Sequence, residues 1–261
     1  MADLKITLIQ TALHWENKTA NLAHFEELFW QITPQSTDLI VLPEMFSTGF
    51  SMNAAQLAEP INLQTFKWLK QMAAQSQAVV VGSYIVVDAG HYFNRLIWMR
   101  PDGSYSFYDK RHLFRMAQEH KTYAGGTQKL IEEINGWKVC PLICYDLRFP
   151  VWSRSTPAEN YDCLIYLANW PAARANAWNC LLPARAIENL CYTVGVNRIG
   201  IDGKGITYAG DSKAYDFKGE LVEDLRAEDC VRTISLSGEK LMQFRQKFPA
   251  HLDSDRFHIQ P

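Results

Sequence analysis

Apolar positions along the chain alternate between two spacings, and the alternation marks out the elements. Residues 4–9 (LKITLI) and 38–42 (DLIVL) are short, almost wholly apolar runs, the pattern of strands buried on both faces. Between them Leu22, Phe25, Leu28, Phe29 and Ile32 recur at helical spacing behind Asn17, a residue suited to cap a helix. FKWLKQMAAQS predicts a second helix and AVVVGSYIVV the strand after it. HYFNRLIWMRPDGSYSFYDK predicts two strands joined by a turn at Asp102-Gly103. WKVCPLIC predicts a strand at an edge or in an irregular ladder, because Pro141 has no N–H to contribute. CLIYLANW predicts another strand, and a helix follows from about Asn176 to Cys191. Strands in CYTVGVNRIG, around DSKAYDF and in CVRTISL complete the pattern. This order argues for an α/β fold, a mixed sheet with helices on its outer faces. No Pro/Gly/Ser-rich linker, repeat or low-complexity tract interrupts it, so residues 1–261 are expected to form one domain.

Composition narrows the function classes. A chain of 261 residues, 48% hydrophobic and 12% aromatic, can bury a large core. A net charge of -2 and a pI of about 6.4 supply no basic field for nucleic acid or an anionic membrane surface. MADLKITLIQTAL lacks the features of a signal peptide, and no apolar run reaches the roughly 18 residues of a membrane span. The six cysteines are irregularly spaced, which suits reduced thiols in a cytoplasmic protein.

Three strand-like runs end on reactive side chains. LIVLPE ends on Glu44, SYSFYDK on Lys110 and KVCPLIC on Cys144. In open α/β sheets, sites gather at the carboxyl ends of strands, so a carboxylate, an ammonium and a thiol have a route to one crevice. A free cysteine is ordinarily a small core hydrophobe, which serves for Cys140, Cys163, Cys180, Cys191 and Cys230. Cys144 differs in standing where a helix-like segment begins, whose dipole would stabilise a thiolate. Lys110 would ordinarily be a solvated lysine. Glu44, between Pro43 and Met45-Phe46, needs a partner, and Lys110 can be one. The histidines show no HExxH and no paired Cys/His spacing, so no metal is expected. GxGxxG, GxxxxGK[ST] and GxSxG are all absent, so no cofactor is expected. A Cys-His hydrolase pairing Cys144 with His112 or His120 stays open on these grounds.

Taken together, LIVLPEMFSTGF, FYDKRHLF, ICYDLRFP, NWP…W…LLPARAIEN and GDSKAYDFKGEL resemble, in order and over almost the whole chain, the nitrilase superfamily of carbon-nitrogen hydrolases. YDKRHLFRM with CYDLRFPVWSR and ANWPAAR is most similar to its bacterial omega-amidases, which hydrolyse 2-oxoglutaramate. The resemblance implies a four-layer αββα sandwich, pairing into a homodimer, and a cofactor-free enzyme acting on a small-molecule amide. It implies Cys144 as nucleophile on a strand-end elbow, Glu44 as general base and acid, and Lys110 with the Tyr145 N–H around the oxyanion. It also implies that Glu119 orients Lys110 and the substrate, and that Asp146 and Arg148 brace the elbow. Asn169, Trp170 and Arg174, past a strand end, are expected to line the pocket. Arg174 is expected to face a substrate carboxylate, with Arg198 in reserve. Nitrile hydrolysis, N-carbamoyl cleavage, deaminated-glutathione hydrolysis, acyl transfer and a non-catalytic binding role are the alternatives.

Overall fold

The computed structural model describes residues 1–255 and 257–259. The chain opens with β1 (Leu4–Gln10), α1 (Lys18–Phe29), β2 (Leu39–Val41), α2 (Ala54–Leu57), α3 (Gln64–Ser76), β3 (Val79–Asp88), β4 (His91–Met99) and β5 (Tyr105–Asp109). It continues through α4 (Glu119–Thr122), β6 (Glu132–Ile134), β7 (Trp137–Ile143), β8 (Cys163–Leu167), α5 (Ala175–Asn189) and β9 (Tyr192–Val196). A small hairpin, β10 (Ile199–Ile201) and β11 (Thr207–Ala209), precedes β12 (Lys213–Tyr215), β13 (Leu221–Asp224), β14 (Cys230–Leu236) and α6 (Gly238–Lys247). Two six-stranded sheets result, ordered β14-β1-β2-β3-β4-β5 and β13-β12-β9-β8-β7-β6.

Strand alternation explains why the sheets stack. Leu4, Ile6 and Leu8 of β1, Leu39 and Val41 of β2, and Leu96 and Trp98 of β4 point one way. There they meet Val139, Leu164 and Val194 of the second sheet in one core. The alternate positions Ile9, Ile40, Val80 and Ile97 point the other way, onto Leu22 and Phe25 of α1 and Leu69 and Met72 of α3. Leu182 and Ala186 of α5 and Leu241 of α6 join the core from the second sheet's side. The layers are therefore helix, sheet, sheet, helix, the αββα arrangement. The apolar runs read as strands were apolar throughout because both faces are covered.

Three local features depart from the sequence reading. Pro141 lies in an inner strand, paired with Ile165 of β8; the β6 ladder on the other side ends at Val139, so a missing N–H costs no bond there. CYTVGVNRIG breaks into β9 and β10 at Asn197, whose buried amide donates to the carbonyls of Trp170 and Gly210. The short strands β6, β11 and β13 and the helices α2, α4 and α6 lie outside the predicted elements. Among the described residues no helix is long and apolar enough to cross a membrane.

Candidate active site

Glu44, Lys110 and Cys144 each follow the carboxyl end of a strand, β2, β5 and β7, and both sheets deliver them to one cavity of about 400 Å³. Lys110 Nζ donates to Glu44 Oε1 at 2.8 Å and to Glu119 Oε1 and Oε2 at 3.0 Å each. All three side chains are buried. Glu119, at the start of α4, also accepts from the Phe114 N–H, so one carboxylate holds both the lysine and the loop over the cavity.

Glu44 is gripped from three sides. Oε1 also accepts from the Asn94 amide at 2.8 Å, and Oε2 accepts the Asn169 N–H at 2.9 Å. The Asn169 amide donates to the Glu44 carbonyl as well. That bond orients Asn169 so that its Oδ1, buried at the cavity wall, has no partner among the described residues. Sequence reasoning missed Asn94. The signal was there: an asparagine amid the apolar HYFNRLIW must find partners.

Backbone strain marks the same places. Cys144 has φ +44°, a left-handed conformation that costs a residue with a Cβ about 1–2 kcal/mol. It opens a single 3-10 turn, Cys144–Arg148, directly off β7, which is the geometry of an elbow. Met45, next to Glu44, has φ +44°, and Gln118, next to Glu119, has φ +59°. Asp146 fastens the elbow: it accepts from Ile143 N at 3.0 Å, from Tyr108 OH at 2.7 Å and from the His112 N–H at 3.1 Å. Asp146 therefore ties the thiol's turn to the strand that carries Lys110.

Electrostatics fix the resting protonation. Burial disfavours the Lys110 ammonium, but the charges of Glu119 and Glu44 outweigh it and hold its pKa above that of an ordinary lysine. Burial, and then the charge of Glu44, push Cys144 well above the usual thiol range; Lys110 opposes them too weakly. Burial likewise raises Glu119, against the pull of Lys110. The sequence-based expectation of a dipole-stabilised thiolate is corrected: the turn is short, and burial with the charge of Glu44 favours the thiol.

The remaining expected residues separate. Tyr145, Asn169, Trp170 and Arg174 all line the cavity. The Trp170 indole donates to the Arg174 carbonyl at 2.8 Å, and the Arg174 guanidinium lies 5.1 Å from the Phe114 ring. Arg148 does not brace the elbow. It has no hydrogen bond or ion pair among the described residues, lines the cavity and lies 5.1 Å over Trp170. Arg198 is buried behind the wall, 4.7 Å over the Tyr208 ring and outside the cavity lining, so it cannot serve as the reserve anchor. His112 is bound to Asp146 at 2.8 Å, and neither it nor His120 is bonded to the Cys144 thiol.

Comparison with known proteins follows this geometry. The carbon-nitrogen hydrolase family model matches residues 5–240. Omega-amidase YafV of Escherichia coli strain K12 is 45% identical over 262 residues, 99% of this chain and 100% of that protein. The 2-oxoglutaramate amidase of Bacillus subtilis strain 168 is 30% identical over 87% of this chain and 88% of its own length. Among solved structures, XC1258 from Xanthomonas campestris, a CN-hydrolase superfamily protein with an arsenic adduct in its active site, matches with a TM-score of 0.97 at 42% identity, covering 100% of both chains.

Proposed function

We propose a specific reaction for this chain, which belongs to the carbon-nitrogen hydrolase family: it is an amidase that hydrolyses the terminal amide of short dicarboxylic monoamides, 2-oxoglutaramate above all, to the acid and ammonia. The observation that carries the reading is the Lys110 ammonium bonded to Glu44 and Glu119 beside a buried thiol at the floor of one cavity. Similarity to omega-amidase and 2-oxoglutaramate amidase supplies the substrate class.

In this reading Glu44 takes the thiol proton as Cys144 attacks the amide carbon. The raised thiol makes that transfer necessary, since little thiolate stands ready. The tetrahedral oxyanion forms between the Lys110 ammonium and the Tyr145 N–H. Asn169 Oδ1, unpartnered at the wall, accepts an N–H of the substrate amide and so aims its nitrogen at Glu44. Glu44 returns the proton to that nitrogen, ammonia leaves, and Glu44 then activates water against the thioester. Glu119 steadies Lys110 and takes no part in proton transfer. Arg174 meets the distal carboxylate, whose charge would be costly to enclose unpaired.

We read residues 1–261 as one catalytic domain of a cytoplasmic homodimer. The pairing is supported by exposed Ile187 on α5, Met242 on α6, and Phe248 and Leu252 just beyond it, on elements linked through Arg245 and the Leu190 carbonyl.

Ammonia release across an amide panel tests the activity. 2-Oxoglutaramate and succinamate are expected to be hydrolysed well above glutamine, whose α-ammonium meets a cationic mouth. Turnover confined to neutral amides, or kcat/KM unchanged when the distal carboxylate is capped as an ester, would overturn the anionic-substrate reading.

A further inference from the structure

The mouth of the cavity carries more positive charge than a monoamide with one carboxylate can meet. Arg148, Arg174 and Lys204 line it, against a single carboxylate, Asp202. They come from three separate elements, the elbow turn, the segment leading into α5 and the β10–β11 hairpin. None of the three cations forms an ion pair among the described residues; each rests near an aromatic ring, Trp170, Phe114 and Trp15 respectively.

Asp202 keeps its charge but forms no ion pair with Lys204; its oxygens accept from neutral donors within the hairpin. Oδ1 accepts the Lys204 N–H at 2.8 Å and the Ile206 N–H at 2.9 Å, and Oδ2 accepts Tyr208 OH at 3.0 Å. The Asp202 backbone closes the same turn, donating to Ile206 O and accepting from Gly205 N, at 3.0 Å each. Gly203 lies flat on Trp15, where a Cβ would stand 2.2 Å from the indole. The tip is thus tied down from several sides, while the Lys204 ammonium stays exposed, 5.8 Å from the Trp15 ring. Asp202 shapes the turn, and the Lys204 side chain has no ion-pair partner among the described residues.

Resting on the amidase reading above, we propose that Lys204 forms a second carboxylate position at the mouth, distinct from that of Arg174. The enzyme therefore also takes terminal monoamides whose acyl part carries two carboxylates. A single distal carboxylate occupies Arg174 and leaves Lys204 at the rim without an ion-pair partner; a second carboxylate on the acyl chain supplies one. A cavity of about 400 Å³ has room for the longer or branched acid.

A matched pair of probes tests this: glutaramate, and the terminal monoamide of tricarballylic acid, which is the same chain with one further carboxylate on its central carbon. Binding is measured by calorimetry on the full chain carrying Cys144→Ala, so that neither probe turns over. The tricarballylic monoamide is expected to bind about two- to fivefold more tightly, the size of one exposed charge pair. Adding Lys204→Gln should remove most of that preference, whereas Lys247→Gln, an equal charge change on the exposed face of α6, should leave it intact. Equal affinity for the two probes, or a preference that survives Lys204→Gln, overturns the second position. If binding behaves as expected but the protein with Cys144 intact hydrolyses neither amide, the amidase reading falls and the carboxylate position stands.

Discussion

The floor and the mouth of the cavity are built on opposite principles. At the floor, Lys110, Glu44 and Glu119 are buried and paired with one another at 2.8–3.0 Å before any substrate arrives. At the mouth, Arg148, Arg174 and Lys204 have no ion pair among the described residues, and Met116 beside them is 78% exposed. The difference separates two tasks. Charge that must be in place as a bond breaks is fixed in advance, where burial strengthens it and nothing has to reorganise. Charge that recognises the substrate is left unpaired, so the substrate's own carboxylate completes it.

The floor should therefore respond through turnover. Lys110→Met and Glu44→Gln are each expected to lower kcat by about 10²–10³ or more, because one removes the cation at the oxyanion and the other the proton carrier of both half-reactions. Glu119→Gln keeps a hydrogen bond to Lys110 and should cost less. Steady-state kinetics on 2-oxoglutaramate check these; near-normal turnover in either of the first two variants would remove that residue's assigned role. Haloacetamide labelling separates base from charge in the same variants. Since Glu44 helps to raise the Cys144 pKa, Glu44→Gln should move the pH profile of labelling at Cys144 downward while turnover collapses. An upward shift would mean that the carboxylate does not oppose the thiolate.

The same division decides what could be read from the sequence. Glu44, Lys110 and Cys144 were legible because each ends an apolar strand, where a polar group needs a reason. Glu119 was legible only through resemblance, since a glutamate in a polar segment is ordinarily solvated. Asn94 was overlooked because its strand read as apolar, although its bond to Glu44 is as short as that of Lys110. The mouth was legible only in part: Arg174 was expected on the wall from its place past a strand end, whereas Arg148 and Lys204 were not. Arg148 differs in no local feature from a surface arginine, and Lys204 lies in a Gly-Lys-Gly turn whose packing on Trp15 joins positions far apart in the chain. The local pattern predicted a single mixed sheet with helices outside. The stacking of two sheets followed only from the resemblance, because pairings such as β1 with β14 are encoded by no local pattern.

At the mouth the expected effect is smaller and falls on affinity. Arg174→Ala should raise KM for succinamate about tenfold and change kcat little, because the distal carboxylate is met equally in the bound and transition states. The KM of a short neutral amide such as propionamide should stay within about twofold. An equal rise for both substrates would assign Arg174 to packing on Phe114, from which its guanidinium lies 5.1 Å, in place of charge recognition.

The smallest expected effect concerns the strain at the floor and is read from stability alone. Replacing alanine by glycine in a structured, buried position ordinarily destabilises, through lost apolar burial and a freer unfolded chain; at Ala73, buried within α3, the two together should cost roughly 1.5–2 kcal/mol. At position 144 an opposing contribution enters. The backbone there has φ +44°, where any Cβ costs about 1–2 kcal/mol and glycine nothing. Cys144→Gly and Cys144→Ala should accordingly be about equally stable in urea unfolding, both inactive, while Ala73→Gly shows the full penalty. The gap between the two sites measures the strain held at the elbow. If glycine at 144 were as much worse than alanine as at 73, the elbow would be relaxed. The position of the thiol would then come from Asp146's grip on the turn alone.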